Sequence, residues 1–300
     1  MKVLVVGSGG REHALARALR RSTRLTELHA APGNPGIARL GRCHPVRSED
    51  VEGLVELAQA LRIDLAVIGP EAPLVAGAAD ALRHAGVPTF GPSRAAAAIE
   101  GSKSFAKEVM LAAGVPTAAR LDNAVAPCVV KADGLAAGKG VFVCRTQPEA
   151  DEALERARAL GTDVVVEELL EGAEASVFAI CDGSRALALP AARDYKRLGD
   201  GDVGPNTGGM GAYSPVPGLD ESAVEELVES VHRPVLDELA ARGTPFIGLL
   251  YAGLMLTRDG YRALEFNCRF GDPETQVVLP RLEGDLLELL TAAASGSLEN

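Results

Sequence analysis

Along roughly the first third of the chain, apolar residues come as short continuous runs separated by stretches of helical period. Residues 3–6, 28–31, 65–68 and 87–90 are the runs, each the length of a strand buried on both faces. Residues 14–21, 51–61 and 75–85 have the three- and four-residue spacing of helices that bury one face. Strands alternating with helices predict a parallel sheet covered on both sides, ending near Gly91-Pro92-Ser93.

Beyond that point the pattern changes. Residues 95–113, 148–160, 221–242 and 282–294 read as helices, and 128–131, 141–144 and 164–168 as strands. Residues 175–181 and 185–190 predict a hairpin around Asp182-Gly183, and 249–256 with 261–270 predict another around Arg258-Asp259-Gly260. Hairpins mixed with helices predict an α+β region. Residues 204–212, rich in glycine, read as a long loop, functional or a flexible crossover.

Composition narrows the function. The chain has 300 residues, 47% hydrophobic and 24% charged, enough for about two domains with real cores. Thirty Lys and Arg against 41 Asp and Glu give a net charge of −11. That balance argues against a sequence-independent grip on nucleic acid or on an anionic membrane. Aromatics are 4% with no Trp, which leaves few platforms for stacking bases. The cysteines at 43, 128, 144, 181 and 268 form no CxxC pair and no zinc-ligand spacing, so reduced thiols in a cytoplasm are expected. No targeting segment or membrane-length apolar run is seen.

Any anionic substrate must therefore be held locally. The first strand runs into Gly7-Ser8-Gly9-Gly10-Arg11-Glu12, where backbone amides can approach an anion at a helix start. It is not a dinucleotide fingerprint: Glu12 stands where the third glycine is needed, and the second strand ends without a ribose-binding acid. A sugar-phosphate site or a tight structural turn both fit. The loops at 32–36 and 69–74 follow the next strands and would line the same crevice. The loop from Lys131 to Gly140 is not a Walker A loop. It reads as a glycine hairpin whose lysines close over polyphosphate, or as an exposed turn.

Around Glu265 the alternation carries chemistry. Ala263, Glu265, Asn267 and Arg269 would share one strand face, with Leu264, Phe266, Cys268 and Phe270 on the other. A carboxylate and an amide oxygen two residues apart suit Mg²⁺, and Arg269 suits a carboxylate or phosphate. A solvated amphipathic strand is the plainer reading. Residues 164–174 fit either an adenine-binding strand end or an ordinary acidic one.

These motifs together resemble the phosphoribosylamine–glycine ligase (glycinamide ribonucleotide synthetase) family of ATP-grasp enzymes in purine synthesis. They are GSGGREHALA at 7–16, GPEAPL at 69–74, EGSKSFAK at 100–107, KADGLAAGKGV at 131–141, EELLEGAEAS at 167–176, DYKRLGDGDVGPNTGGMGAYSP at 194–215 and EFNCRFGDPETQ at 265–276. The resemblance runs in order along essentially the whole chain. It implies a Rossmann-like parallel-sheet domain at 1–92 that binds substrate, then a two-subdomain ATP-grasp unit at 93–300. The lid would span about 118–180, and the core 93–117 with 181–300.

The implied reaction uses ATP and Mg²⁺ or Mn²⁺ to join glycine to 5-phosphoribosylamine through a glycyl phosphate. Lys103, Lys131 and Lys139 would meet the ATP phosphates, Glu167 and Leu170 the adenine, and Glu174 the ribose. Glu265 and Asn267 would hold the metal, while Arg269 and Asp194 hold the glycine carboxylate and amine, with Lys139 also catalytic. Gly9, Gly10, Arg11, Glu12, Asn34, Gly36, Pro70 and Glu71 would bind phosphoribosylamine. Asn206, Thr207, Gly208, Gly209 and Met210 would complete the cleft with Asp272, Pro273 and Glu274. Small-molecule substrates, a monomer, and no nucleic-acid or membrane partner are expected. The family's usual C-terminal domain is expected to be absent, and the lid shortened at 115–128 and 160–164. A non-catalytic or impaired nucleotide-binding form is therefore the alternative. A ligase with another acceptor is disfavoured by RFGDPETQ, and a nicotinamide oxidoreductase by Glu12.

Overall fold

In the computed structural model, which describes residues 1–134, 140–160, 163–201 and 203–299, the chain forms three sheets. The first is built from β1 (Lys2–Gly7), α1 (Gly10–Leu19), β2 (Glu27–Pro32), β3 (Arg42–Cys43), α2 (Val51–Leu61), β4 (Leu65–Ile68), α3 (Glu71–Ala76), α4 (Ala78–His84) and β5 (Thr89–Phe90). Its order, β3-β2-β1-β4-β5, is wholly parallel. The order reverses at β1, so the loops after β1 and β4 flank the crevice where ligands collect in such sheets. The helix expected at 75–85 is divided because Gly77 takes φ +93°, a left-handed turn that separates α3 from α4.

Next come α5 (Arg94–Gly101), α6 (Lys103–Ala112), β6 (Cys128–Ala132), β7 (Val141–Cys144), α7 (Gln147–Ala159) and β8 (Val164–Glu168). The single helix expected at 95–113 is two. Ser102 is extended there, and its hydroxyl accepts from Phe105 N, capping α6. Strands β6, β7 and β8 form a small antiparallel sheet, order β7-β6-β8, with its own core of Cys128, Val130, Ala153 and Val166 among others.

The rest comprises β9 (Ala173–Asp182), β10 (Ala186–Gly199), β11 (Val203–Tyr213), α8 (Glu221–Leu227), α9 (Arg233–Ala241), β12 (Ile247–Thr257), β13 (Gly260–Asn267), α10 (Thr275–Val278) and α11 (Leu286–Ala294). The third sheet runs β11-β10-β9-β12-β13. The glycine-rich stretch expected as a loop is strand β11, paired antiparallel to an extended β10. Strand β9 belongs to this sheet, so the small sheet stops at Glu168, short of the expected lid boundary near 180. One apolar core runs unbroken from Leu4 and Ile68 of the first sheet to Val177 and Leu250 of the third. The small sheet therefore has the separate core, and the first and third sheets share theirs.

Alternation in β13 is also broken. Gly253 pairs with Glu265 and Leu254 with Ala263, leaving Leu264 as a bulge. Ala263 consequently packs in the core with Phe266, and Leu264 faces the cavity. This reverses the expected placement of those two residues. Arg269 lies beyond the end of the strand.

Between α8 and α9, Val228–His232 form one π-helical turn, and His232 is fully buried edge-on to the Phe266 ring. Burial lowers its pKa from 6.5 to about 4. The unfolded chain takes up a proton near pH 6.5 that the folded chain refuses until about pH 4. Stability is therefore lost as pH falls through that window, by about 3 kcal/mol. His232→Leu is expected to shift acid unfolding to lower pH, read by circular dichroism during titration. An unchanged midpoint would remove His232 from the account.

Candidate active site

The third sheet, the small sheet and the C-terminal ends of β1 and β4 enclose one cavity of about 780 Å³. Glu265 and Asn267 line it from β13. Opposite Glu265, Gly253 has no side chain; a Cβ there would come 3.2 Å from Glu265 Cγ. Glycine at that position gives the carboxylate its room. Burial raises the pKa of Glu265, but Lys196, Lys131, Lys103 and Arg269 outweigh it and hold the group below the usual range. Lys196 Nζ stands 4.0 Å from Glu265 and 3.3 Å from Glu174. Burial opposes the charge on Lys196, while Tyr251, Glu265, Glu174 and Asp194 keep it protonated well above the lysine norm.

The donors of β13 fit a hard divalent cation. A carboxylate oxygen and an amide oxygen open on one face, and the neighbouring thiol of Cys268 is turned away into the core. Among the described residues no group of three or more His, Cys, Asp or Glu forms a closed metal cage. The fit to a hard cation therefore rests on the oxygen donors of Glu265 and Asn267 themselves.

Arg269 is clamped where β13 has ended. Its Nε donates to Glu71 Oε2 at 3.2 Å and one terminal nitrogen to Glu100 Oε1 at 2.9 Å. Glu100 also accepts from Cys268 N at 2.8 Å, which fixes the backbone of the same turn. Burial raises the Glu71 pKa, but Arg269 chiefly pulls it below normal. Asp194 faces the same cavity from β10. Burial, with Glu274 and Glu174 nearby, pushes its carboxyl up to about 6 against the pull of Lys196. Glu274 is buried and accepts from Tyr251 Oη at 2.9 Å; that hydroxyl also contacts Ser176 Oγ at 2.8 Å.

At the opposite end, Asp133 ties the loop after β6 to the start of α6. It accepts from Lys103 N at 2.5 Å, Ser104 Oγ at 2.6 Å and Gly134 N at 2.9 Å. Lys103 Nζ donates to Gly134 O at 2.8 Å. Burial, the largest influence, lowers its pKa. Lys131 on β6 and Glu167 on β8 are diagonal neighbours, two positions apart in register, joined by an ion pair of 2.6 Å. Leu170 and Glu174 complete this end of the lining.

The loops of the first sheet meet the cavity at Arg11 and Glu71. Glu12 folds back on its own loop, accepting from Gly9 N at 2.5 Å and Arg11 Nε at 2.5 Å. Its carboxylate occupies the space that glycines at 7 and 69 leave open. Asn34 Nδ2 donates to Ser8 O and Gly9 O, joining the second loop to the first, and its Oδ1 accepts from Ile37 N. Gly36 packs under His13, and Pro70 beside Gly7. A Cβ on Gly9 would lie 3.4 Å from Asp272 Oδ2, so this loop faces the Asp272 turn.

Residues 1–100 match the phosphoribosylglycinamide synthetase N domain, and residues 101–275 match the phosphoribosylglycinamide synthetase ATP-grasp (A) domain. The chain belongs to the phosphoribosylglycinamide synthetase family. The phosphoribosylamine–glycine ligase of Streptomyces coelicolor is 56% identical over 311 residues, covering 99% of this chain and 74% of that one. The Rhizobium meliloti enzyme of the same name is 51% identical, covering 100% of this chain and 75% of its own. The crystal structure of phosphoribosylamine–glycine ligase from Thermotoga maritima has a TM-score of 0.84 at 32% identity, covering 100% of this chain and 77% of that one. Biotin carboxylase from Campylobacter jejuni shares the fold, with a TM-score of 0.73 at 17% identity over 100% of this chain and 72% of its own.

Against the motifs of the phosphoribosylglycinamide synthetase family, the cavity gathers Arg11, Glu71, Lys103, Lys131, Glu167, Leu170, Glu174, Asp194, Thr207, Glu265, Asn267, Arg269, Asp272 and Glu274. Gly9, Gly10, Glu12, Asn34, Gly36 and Pro70 stand behind its first-sheet wall as the framework of the loops. Gly209 packs against Pro273, and Met210 is exposed and does not line the cavity. Lys139 lies outside the described residues, and Asn206 and Gly208 are described only as backbone of β11. Glu100, Lys107 and Lys196 all fall within the motifs at 100–107 and 194–215, but the sequence assigns none of them a role. Lys196 shares a strand face with Asp194, whereas the partner of Glu100 is set only by the fold.

Proposed function

We propose that this chain uses ATP to ligate glycine to 5-phosphoribosylamine, giving glycinamide ribonucleotide, ADP and phosphate. The carrying observation is that Glu265, Asn267, Arg269 and Asp194 open on one cavity, with Lys103 and Lys131 at one end and the first-sheet loops at the other. Family membership supports the same reading, and no described residue favours a non-catalytic form.

A glycine carboxylate oxygen attacks the γ-phosphorus and ADP leaves; the amine nitrogen then attacks the acyl carbon, the C–O bond to phosphate breaks, and the nitrogen loses a proton. Positioning and charge neutralisation provide most of the acceleration in such transfers. Lys103 and Lys131, with Lys139, hold the phosphates. The strand end at Glu167 and Leu170 takes the adenine through backbone groups, and Glu174 the ribose. Glu265 and Asn267 would hold Mg²⁺ or Mn²⁺, which would supply positive charge to offset that of the phosphates. Arg269 orients the glycine carboxylate and Asp194 its ammonium. The Gly9–Glu12, Asn34–Gly36 and Pro70–Glu71 loops receive phosphoribosylamine, and Thr207 with the Asp272–Glu274 turn completes the cleft, whereas Met210 points away from it. Residues 1–92 act as the substrate-binding domain and the small sheet as the lid over ATP. Five free thiols suit a cytoplasmic setting, and among the described residues no helix is long and apolar enough to cross a membrane.

Phosphate release from ATP that requires both glycine and freshly made phosphoribosylamine tests the reading; release independent of either one sinks it. The same assay tests Asp194. Its carboxyl titrates at about 6 and must be ionised to hold an ammonium. kcat/KM for glycine is therefore expected to fall tenfold per unit below about pH 6, while Asp194→Asn is uniformly poor. A flat profile from pH 5 to 7 removes that role.

A further inference from the structure

Lys107 has no assigned role, yet it belongs to a buried ionic cluster that lines the cavity. Its Nζ lies 2.5 Å from Glu167 Oε1, and Lys131 Nζ lies 2.6 Å from Glu167 Oε2. Exposure is 5% for Lys107, 8% for Lys131 and 3% for Glu167. The two lysines are not equivalent. An ammonium has three N–H donors. Lys107 uses all of them within the protein: Glu167, Thr117 Oγ1 at 2.7 Å and Ala118 O at 2.8 Å. Among the described residues Lys131 has two acceptors, Glu167 and Leu264 O at 3.1 Å, which leaves one donor free in the cavity.

The cluster also reaches the bulge in β13. Thr117 Oγ1 donates to Ala263 O at 2.8 Å, and Lys131 to Leu264 O. Those are the two residues before Glu265.

We propose that Lys107 is a positioning residue that keeps Glu167 paired and in place, freeing Lys131 to turn from Glu167 to the phosphates of ATP. This deepens the proposed function and rests on its assignment of Lys131 to ATP. With Lys107 present, Glu167 retains a partner when Lys131 leaves. Without it, ATP competes with a buried carboxylate for Lys131, because an unpaired charge there is strongly disfavoured.

The test compares the full-length wild type, Lys107→Met and Lys107→Met/Glu167→Gln, using ATP with Mg²⁺ in calorimetry and in turnover. Lys107→Met is expected to weaken ATP binding and raise its KM about tenfold, equal to about 1.4 kcal/mol. Its kcat at saturating ATP and its KM for glycine should stay within about twofold, since neither reacting group is touched. Adding Glu167→Gln removes the competing charge and should return ATP affinity to within about threefold of wild type. Unchanged ATP affinity in Lys107→Met, or a folded double variant that binds as poorly as the single one, overturns the proposal. If Lys107→Met does not fold, the double variant alone decides, by wild-type-like or weakened binding. A wild type that binds no ATP fails before any substitution is made, and there it is the assignment of Lys131 that falls.

Discussion

Glu265→Gln is expected to lower turnover by roughly a hundred- to a thousandfold while leaving the fold intact. Glutamine keeps the size and one of the two side-chain oxygens, now as an amide, so the packing against Gly253 survives. What is lost is one negative charge that faces Lys196, Lys131, Lys103 and Arg269, and that these cations hold ionised. The loss falls where transferring phosphate and a divalent cation must be balanced. Stability should change little, because among the described residues the carboxylate has one ion-pair partner, Lys196 at 4.0 Å, and it is partly exposed. Phosphate release at saturating substrates, read beside the thermal midpoint, checks both halves. Near-normal turnover takes the metal assignment away from β13.

Arg269 should behave differently, because it is structural and functional together. Its guanidinium spans Glu71 from the first sheet and Glu100 from α5, and it also reaches Asn267 Oδ1 at 3.4 Å. Burial disfavours its charge, but Glu100 and Glu71 outweigh that and raise its pKa. Arg269→Met would leave two partly buried carboxylates unpaired and cost about 3–5 kcal/mol. Arg269→Lys keeps the charge, but a single ammonium does not reproduce the planar fork. It is expected to retain most of the stability and lose roughly ten- to a hundredfold in kcat/KM for glycine. Thermal unfolding and glycine kinetics on both variants separate the effects. A lysine variant with wild-type kinetics shows that the fork orients nothing.

These two residues also mark how far the chain could be read without its fold. Glu265, Asn267 and Arg269 stood out because three polar residues alternate with buried Phe266, Cys268 and Phe270. Period-two patterning is local and survives in one dimension. Ala263 and Leu264 were misplaced because a bulge depends on how β12 pairs with β13, and no residue of β13 alone announces it. The sequence of strand β11 reads as a loop for a related reason. Glycine lowers intrinsic strand preference, and the pairing with β10 overrides it.

Local patterning carries the alternation of strands and helices in the first sheet, the pairing of β6 with β7, and the ordered motifs that place the chain in its family. Those signals are set by neighbours a few residues apart. Tertiary structure alone decided that Glu71 and Glu100 clamp Arg269, that Lys196 bridges Glu174 and Glu265, and that Lys107 and Lys131 share Glu167. Most of these partners lie far apart along the chain. A buried charge is stable only with its partner present, and the fold alone brings the two together.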